Sequence, residues 1–368
     1  MMKLDLVSLL EPDIIALKLV GFWKSSDDVS SFNRFYYRIY RGVVVASTLV
    51  YLVCGFMYLY DKRETLTLVD VNSVMFIHTT NVTNPMMVVS IFLNIKRLHA
   101  MIRQLESAAF QPKSQKEFLY VYKWKRSSYF IKKIFYGVNI FLVTTGPIVA
   151  MLQGKCAPQA TYIPPWIYWR VYFWFQSTLT VYNATMASIY VSVLTTLLIE
   201  AIIQVACLKE RLHCTEDKKY LVESIKRHLQ IILFIERLQH ICKIGLSVVF
   251  VSGVINICTT LSLVLEVTFI ELLFMVPYLG EIILIIYVHC FYGSILASES
   301  EEIAYSLFSS KWVSADVSHK RNLAIFMIFS NKKITIRLAG GMLTMTLPLF
   351  VQIIRTAYAY FNVLQSID

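Results

Sequence analysis

Seven long apolar stretches are the feature that most constrains this chain, because each is long enough to cross a bilayer as a helix. They run over 43–60, 69–93, 134–152, 171–208, 244–265, 272–296 and 338–363. With 57% hydrophobic and 16% charged residues, the chain cannot supply the polar surface that a soluble domain of 368 residues needs. The fold class is therefore an all-α integral membrane protein with seven transmembrane helices. Residues 1–41 hold six Lys/Arg and five Asp/Glu, unlike a cleaved signal peptide, so the first span is expected to act as a signal anchor.

The basic residues orient the spans. Counted alternately along the connections, thirty Lys/Arg fall on one side and five on the other. The basic side is cytoplasmic. The topology is thus inverted relative to a G-protein-coupled receptor: N terminus cytoplasmic, C terminus extracellular. The same asymmetry accounts for the net charge of +11 and gives no reason to invoke nucleic acid. Four regions follow: 1–42, a cytoplasmic segment with amphipathic or re-entrant helices; 43–296, six spans with cytoplasmic helical extensions; 297–337, a cytoplasmic anchor; and 338–368, the seventh helix. Within the connection 209–243, Leu221, Ile225, Leu229 and Leu233 recur every four residues and predict one packed helix face.

Several residues invite a chemical reading. Asn81-Val82-Thr83 fits a glycosylation sequon, but inside a span it is expected to stay unmodified. Glu281 lies within span six, where a carboxylate serves either a helix contact or a cavity wall. His78 reads as a packed, hydrogen-bonded imidazole. Glu200 and the Glu299, Glu301 and Glu302 cluster lack metal-ligand spacing, and local salt bridges account for the cluster. The seven cysteines form neither a disulfide framework nor a metal motif. No nucleophile elbow, zinc helix or phosphate loop occurs, so no catalytic residue, metal or cofactor is expected.

The C-terminal third carries a resemblance. Phe291-Tyr-Gly-Ser-Ile-Leu-Ala-Ser-Glu-Ser300, Ala304-Tyr305, Lys311-Trp312, Arg321-Asn-Leu-Ala324 and Ile334-Thr-Ile-Arg-Leu-Ala-Gly-Gly341 together resemble the insect odorant receptor family. So does Thr356-Ala-Tyr-Ala-Tyr-Phe-Asn-Val-Leu364, with Ala359 where the family usually has serine. The resemblance implies an odorant-gated, non-selective cation channel. The compact connection between spans four and five is similar to that of a ligand-specific tuning subunit rather than the co-receptor. Its implied partners are a small volatile odorant, the co-receptor in a heterotetramer, membrane lipids and permeating cations. Its implied place is the plasma membrane of an olfactory neuron's dendrite.

The resemblance also implies site residues. Val363 and Ile367 match the family's hydrophobic pore constriction, with Ser366 on a neighbouring face. Tyr358, Tyr360 and Phe361 are expected to couple the last helix to spans five and six or to the next subunit. The odorant pocket falls among the outer halves of spans two to six, with Phe76, Gly146, Val149, Tyr172, Phe173, Gln176, Phe274 and Tyr278 as candidate walls. Gly146 would leave room for the ligand, and Gln176 or Tyr278 would orient one polar atom on it. None of these is charged, which implies a neutral ligand. Two other readings share parts of the pattern: a gustatory-type channel that works without the co-receptor, and a secondary transporter, against which the absence of repeated halves argues.

Overall fold

The computed structural model describes residues 9–19, 23, 31–213, 218–264, 266–310 and 312–365. Its helices are α1 (Glu11–Leu19), α2 (Ser31–Asp61), α3 (Leu68–Leu93), α4 (Ile95–Glu106), α5 (Gln115–Leu152), α6 (Trp169–His213), α7 (Lys218–Val264), α8 (Phe269–Phe308), α9 (Val317–Ser330) and α10 (Leu347–Gln365). Helices α2, α3, α5, α6 and α8 contain the first four and the sixth apolar stretches, α7 covers the fifth to Val264, and α10 covers the seventh only from Leu347 onward. By length and apolarity alone, α5, α6, α7 and α8 can each cross a membrane, and α3 with α4 makes a fifth such unit bent by 62°. The bend falls at Asn94, whose Nδ2 donates to the Ser90 carbonyl at 2.9 Å while its Oδ1 accepts from Arg97 at 2.6 Å.

Local chemistry sets the helix starts. Thr67 and Asp70 form a capping box on α3: Asp70 N donates to Thr67 Oγ1 at 3.2 Å, and Thr67 N donates back to the Asp70 carboxylate at 3.3 Å. Thr268 and Glu271 do the same for α8. Side chains of Ser114 and Asp316 cap α5 and α9.

The bundle closes around α6, which packs on α1, α3, α5, α7 and α8. Its whole most apolar window is buried within the chain, so Leu194, Leu197, Leu198 and Ile202 form protein core rather than lipid surface. Helix α1 packs into this core through Leu17 and the preceding Leu10. Asp13 is wholly buried and pairs with Lys132 of α5 at 2.6 Å. It also accepts from Ser192 at 2.6 Å and Thr196 at 3.4 Å on α6, and Lys132 donates in addition to the Leu9 carbonyl at 2.7 Å.

The cytoplasmic ends of the helices are joined by ion pairs. Glu117 accepts from Arg211 at 2.8 Å, Lys209 bridges Glu299 and Glu302, and Lys333 pairs with Glu301 at 2.8 Å. These contacts match the salt-bridge reading of the glutamate cluster. No group able to hold a metal ion occurs among the described residues.

Two sequence expectations need correction. The buried stripe of the cytoplasmic part of α7 is Leu221, Ser224, His228, Ile231, Ile235 and Leu238, whereas Leu229 and Leu233 are 55% and 49% exposed. A strict spacing of four overshoots the 3.6-residue turn by about 40° each step, so the stripe drifts off the buried face. The seventh helix begins at Leu347, not at Leu338. Residues before it form a two-residue pairing, β1 (Arg337–Leu338) antiparallel to β2 (Leu343–Thr344), around a turn with Gly340 and Gly341 at φ 72° and 101°. Positive φ at two consecutive residues ends any helix there.

That hairpin explains the C-terminal motif residues. A Cβ on Gly293 would lie 2.2 Å from the Met345 carbonyl oxygen, so only glycine lets α8 approach the chain there. Beside it, Leu347 N donates to Ser294 Oγ at 2.8 Å and Ile334 N to Ser300 Oγ at 2.9 Å. The motif serines thus hang the start of α10 from α8.

Candidate functional site

Two joined cavities lie among the outer parts of α3, α5, α6, α7 and α8. The inner one, about 120 Å³, reaches from Thr80, Asn84 and Met87 on α3 to Asn256 on α7 and Ile285 on α8. The outer one, about 540 Å³, opens toward the loop 153–168 and the α7–α8 turn. Phe76, Ile77, Leu142, Val143, Gln159, Thr180 and Phe274 border both.

The shared wall is aromatic. Phe76 meets Tyr278 edge-on at 4.6 Å and Phe274 at 6.4 Å, and Phe274 stacks on Tyr278 at 6.0 Å. Such offset and edge-to-face pairs add to burial energy and hold the rings in place. The Tyr278 hydroxyl is hydrogen-bonded to Thr80 Oγ1, which also accepts from Asn256 Nδ2 at 3.3 Å.

Of the residues read from the sequence, Phe76, Gly146, Val149, Phe274 and Tyr278 line one or both cavities. Gly146 makes room for a ring of the protein itself: a Cβ there would come within 3.2 Å of Phe274. Tyr172, Phe173 and Gln176 border neither cavity. Tyr172 and Gln176 instead hold the outer loop over the site. Both donate to Thr161 Oγ1 at 3.1 Å, and Gln176 Oε1 accepts from Gln159 N at 3.2 Å. Phe173 is buried against neighbouring helices.

Sequence reasoning passed over the polar half of the inner cavity. Asn81, Asn84, Asn139, Asn183 and Asn256, from four helices, all border it. Asn183 Nδ2 donates to Asn81 Oδ1 at 3.1 Å, Asn139 Nδ2 donates to the Ala184 carbonyl at 3.0 Å, and Asn256 Oδ1 is buried without a partner among the described atoms. The signal was partial: an amide inside a span must find another polar group, but the sequence does not say where the amides meet. Glu281 also borders this cavity, one of the two roles the sequence left open for it. Asn81 is buried within the bundle, consistent with an unmodified sequon. His78 is packed as read: Nδ1 lies 2.9 Å from the Val74 carbonyl, and the ring stacks on Tyr51 at 4.9 Å.

On the far side of the bundle, α10 carries an open groove formed by Leu347, Pro348, Val351, Gln352, Arg355, Thr356 and Ala359. Val363 is exposed near its end, and Ser366 and Ile367 lie outside the described residues. Tyr358 and Tyr360 are exposed rather than packed on α7 or α8, and Tyr358 leans on Phe361 at 6.4 Å.

This combination of an inserted N-terminal helix, a central buried α6 and a last helix hung from a hairpin is the fold of the insect olfactory receptors. The chain superposes on the receptor OR5 of Machilis hrabei in complex with eugenol with a TM-score of 0.88 over 99% of this chain and 100% of that one, at 15% identity. A second structure of OR5 from Machilis hrabei gives a TM-score of 0.87 over the same shares. The sequence model described as "7tm Odorant receptor" matches residues 67–358, and the chain belongs to that family. It is thus a multi-pass membrane receptor rather than an enzyme, with the inverted arrangement that the Lys/Arg distribution requires. It is 31% identical to Odorant receptor 33b of Drosophila melanogaster over 153 residues, 40% of each chain. With Odorant receptor 85f of the same fly it shares 24% over 387 aligned residues, covering 96% of this chain and 97% of that one. The matches to Odorant receptors 33b and 33a span about two-fifths of those relatives' lengths.

Proposed function

We propose that this chain is the ligand-binding subunit of a ligand-gated, non-selective cation channel, and that a small, neutral volatile of low polarity occupies the joined cavities. The observation that carries this reading is the inner cavity, mainly apolar and bordered by five helices. It offers ring surfaces for contact and a few amide groups for orientation, the usual division in a small-molecule site. A receptor of the same fold bound to eugenol supports a ligand of that scale.

In this reading α10 lines a central pore. Its groove bears Gln352, Arg355 and Thr356, and Val363 with Ile367 forms an apolar ring that gates by dewetting. Assembly is a tetramer with the olfactory co-receptor in the plasma membrane of a sensory dendrite, where exposed Tyr358 and Tyr360 meet a neighbouring subunit. Ligand opens the pore by binding the open arrangement more tightly than the closed one.

The test is ligand-evoked current from cells expressing the chain with and without a co-receptor. Current only from the pair supports the proposal, and current from the chain alone points to a gustatory-type channel or to an odorant receptor that works without a co-receptor. Stoichiometric uptake without current overturns it in favour of transport. Phe274→Ala and Tyr278→Phe should shift ligand potency while leaving surface expression intact.

A further inference from the structure

The cytoplasmic half of α5 carries a surface that neither the cavity nor the ion-paired base uses. Between residues 118 and 133 the sequence has no Asp or Glu. Leu119, Tyr122, Lys123, Arg126, Tyr129, Phe130 and Lys133 are all exposed there. At 100° per residue these positions fall within an arc of about 120°, a single helix face. None of Lys123, Arg126 and Lys133 is ion-paired among the described residues, although Lys123 lies 5.8 Å from the Trp124 ring. By contrast Lys132, on the opposite face, is buried against Asp13.

The height of this face in the bilayer follows from helix geometry. The 38 residues of α5 end on the outer side at Leu152. A hydrocarbon core of about 30 Å takes up about 20 residues at 1.5 Å each, which places its inner edge near Lys133. The next two turns, through Phe130, Tyr129 and Arg126, then lie in the inner headgroup layer. Lys123, one turn deeper, reaches back toward it along its own flexible stem. Bases that alternate with aromatic rings at this depth, with no acid to neutralise them, complement a layer of anionic lipid.

We propose that this face of α5 is a binding site for anionic phospholipid headgroups of the cytoplasmic leaflet. Lys123, Arg126 and Lys133 take the phosphate and carboxylate oxygens, while Tyr129 and Phe130 seat the glycerol and upper acyl region. An ordinary solvated face would show bases interspersed with acids and few exposed rings, and the cytoplasmic glutamates of this chain lie on other surfaces.

The experiment uses the full-length chain reconstituted in phosphatidylcholine vesicles containing spin-labelled phosphatidylserine or spin-labelled phosphatidylcholine. Electron paramagnetic resonance then reports the fraction of each label immobilised at the protein. The native chain should hold phosphatidylserine about threefold over phosphatidylcholine, with the preference falling as salt screens it. Lys123→Gln with Arg126→Gln and Lys133→Gln should bring the ratio close to one. The equal charge change Lys320→Gln with Arg321→Gln and Lys332→Gln, around α9, should leave it unaltered. A native chain without preference, an undiminished ratio in the α5 variant, or equal loss in the α9 variant overturns the site. Should the triple variant not reconstitute as a folded protein, Arg126→Gln alone is read in the same way, with a partial fall expected and no fall refuting the proposal.

Discussion

The buried pair between Asp13 and Lys132 allows a sharp energetic prediction. Both side chains are shielded from water, and each has further hydrogen bonds that hold it in place. Burial pushes the Asp13 carboxyl above its ordinary range, and the opposing pull of Lys132, Ser192 and Thr196 does not offset it. The pair therefore costs more to bury than its attraction returns, yet removing one member strands the other. Asp13→Asn should weaken the docking of α1 by about 3–5 kcal/mol. Lys132→Met falls at the lower end, because the stranded carboxyl escapes by taking up a proton. Replacing both, Asp13→Leu with Lys132→Met, should return to within about 1 kcal/mol of the native chain or exceed it. Amide hydrogen exchange along α1 measures this directly. At 1.4 kcal/mol per decade, each single variant should lose about two to three and a half decades of protection, and the double variant should regain them. If the single changes leave protection intact, or the double loss equals the sum of the singles, the pair does not hold α1 and the reasoning fails.

Two further outcomes follow from named contacts. Gly293→Ala should destabilise the chain by about 1–3 kcal/mol, because a backbone oxygen blocks the new methyl, and the measurement is the apparent melting temperature of purified protein. Val363→Ser should raise basal current in cells that also express the co-receptor. Native leak from a well-expressed variant would remove Val363 from the gate.

Much of the architecture was legible because bilayer-crossing segments must be long and apolar and their basic flanks must stay inside. The placement of α1 was not, since nothing in residues 11–19 says that Asp13 finds Lys132 more than a hundred residues later. The start of α10 was misplaced for a local reason: Leu338, Met342 and Leu343 are apolar enough to extend a span, but Gly340 and Gly341 take positive φ. The aromatic part of the cavity was readable as large rings in outer span halves. Tyr172, Phe173 and Gln176 have the same sequence appearance, yet belong to the loop anchor and the helix core, because facing depends on helix rotation. The asparagines were visible individually, but their convergence is a property of four packed helices.

Helices α6 and α8 are about equally apolar, yet the apolar stretch of the first is wholly buried and that of the second is mostly half-buried or exposed. At exposed positions of α8 such as Leu273 and Val276, one aliphatic side chain can replace another without opening a void. In α6 the same exchange leaves a hole or forces a clash. Two segments that a hydropathy plot cannot distinguish therefore constrain their residues to different degrees. Exchange costs least where the neighbour is fluid, and a frame held by its axle is compatible with as little as 15% identity to another receptor of the same fold.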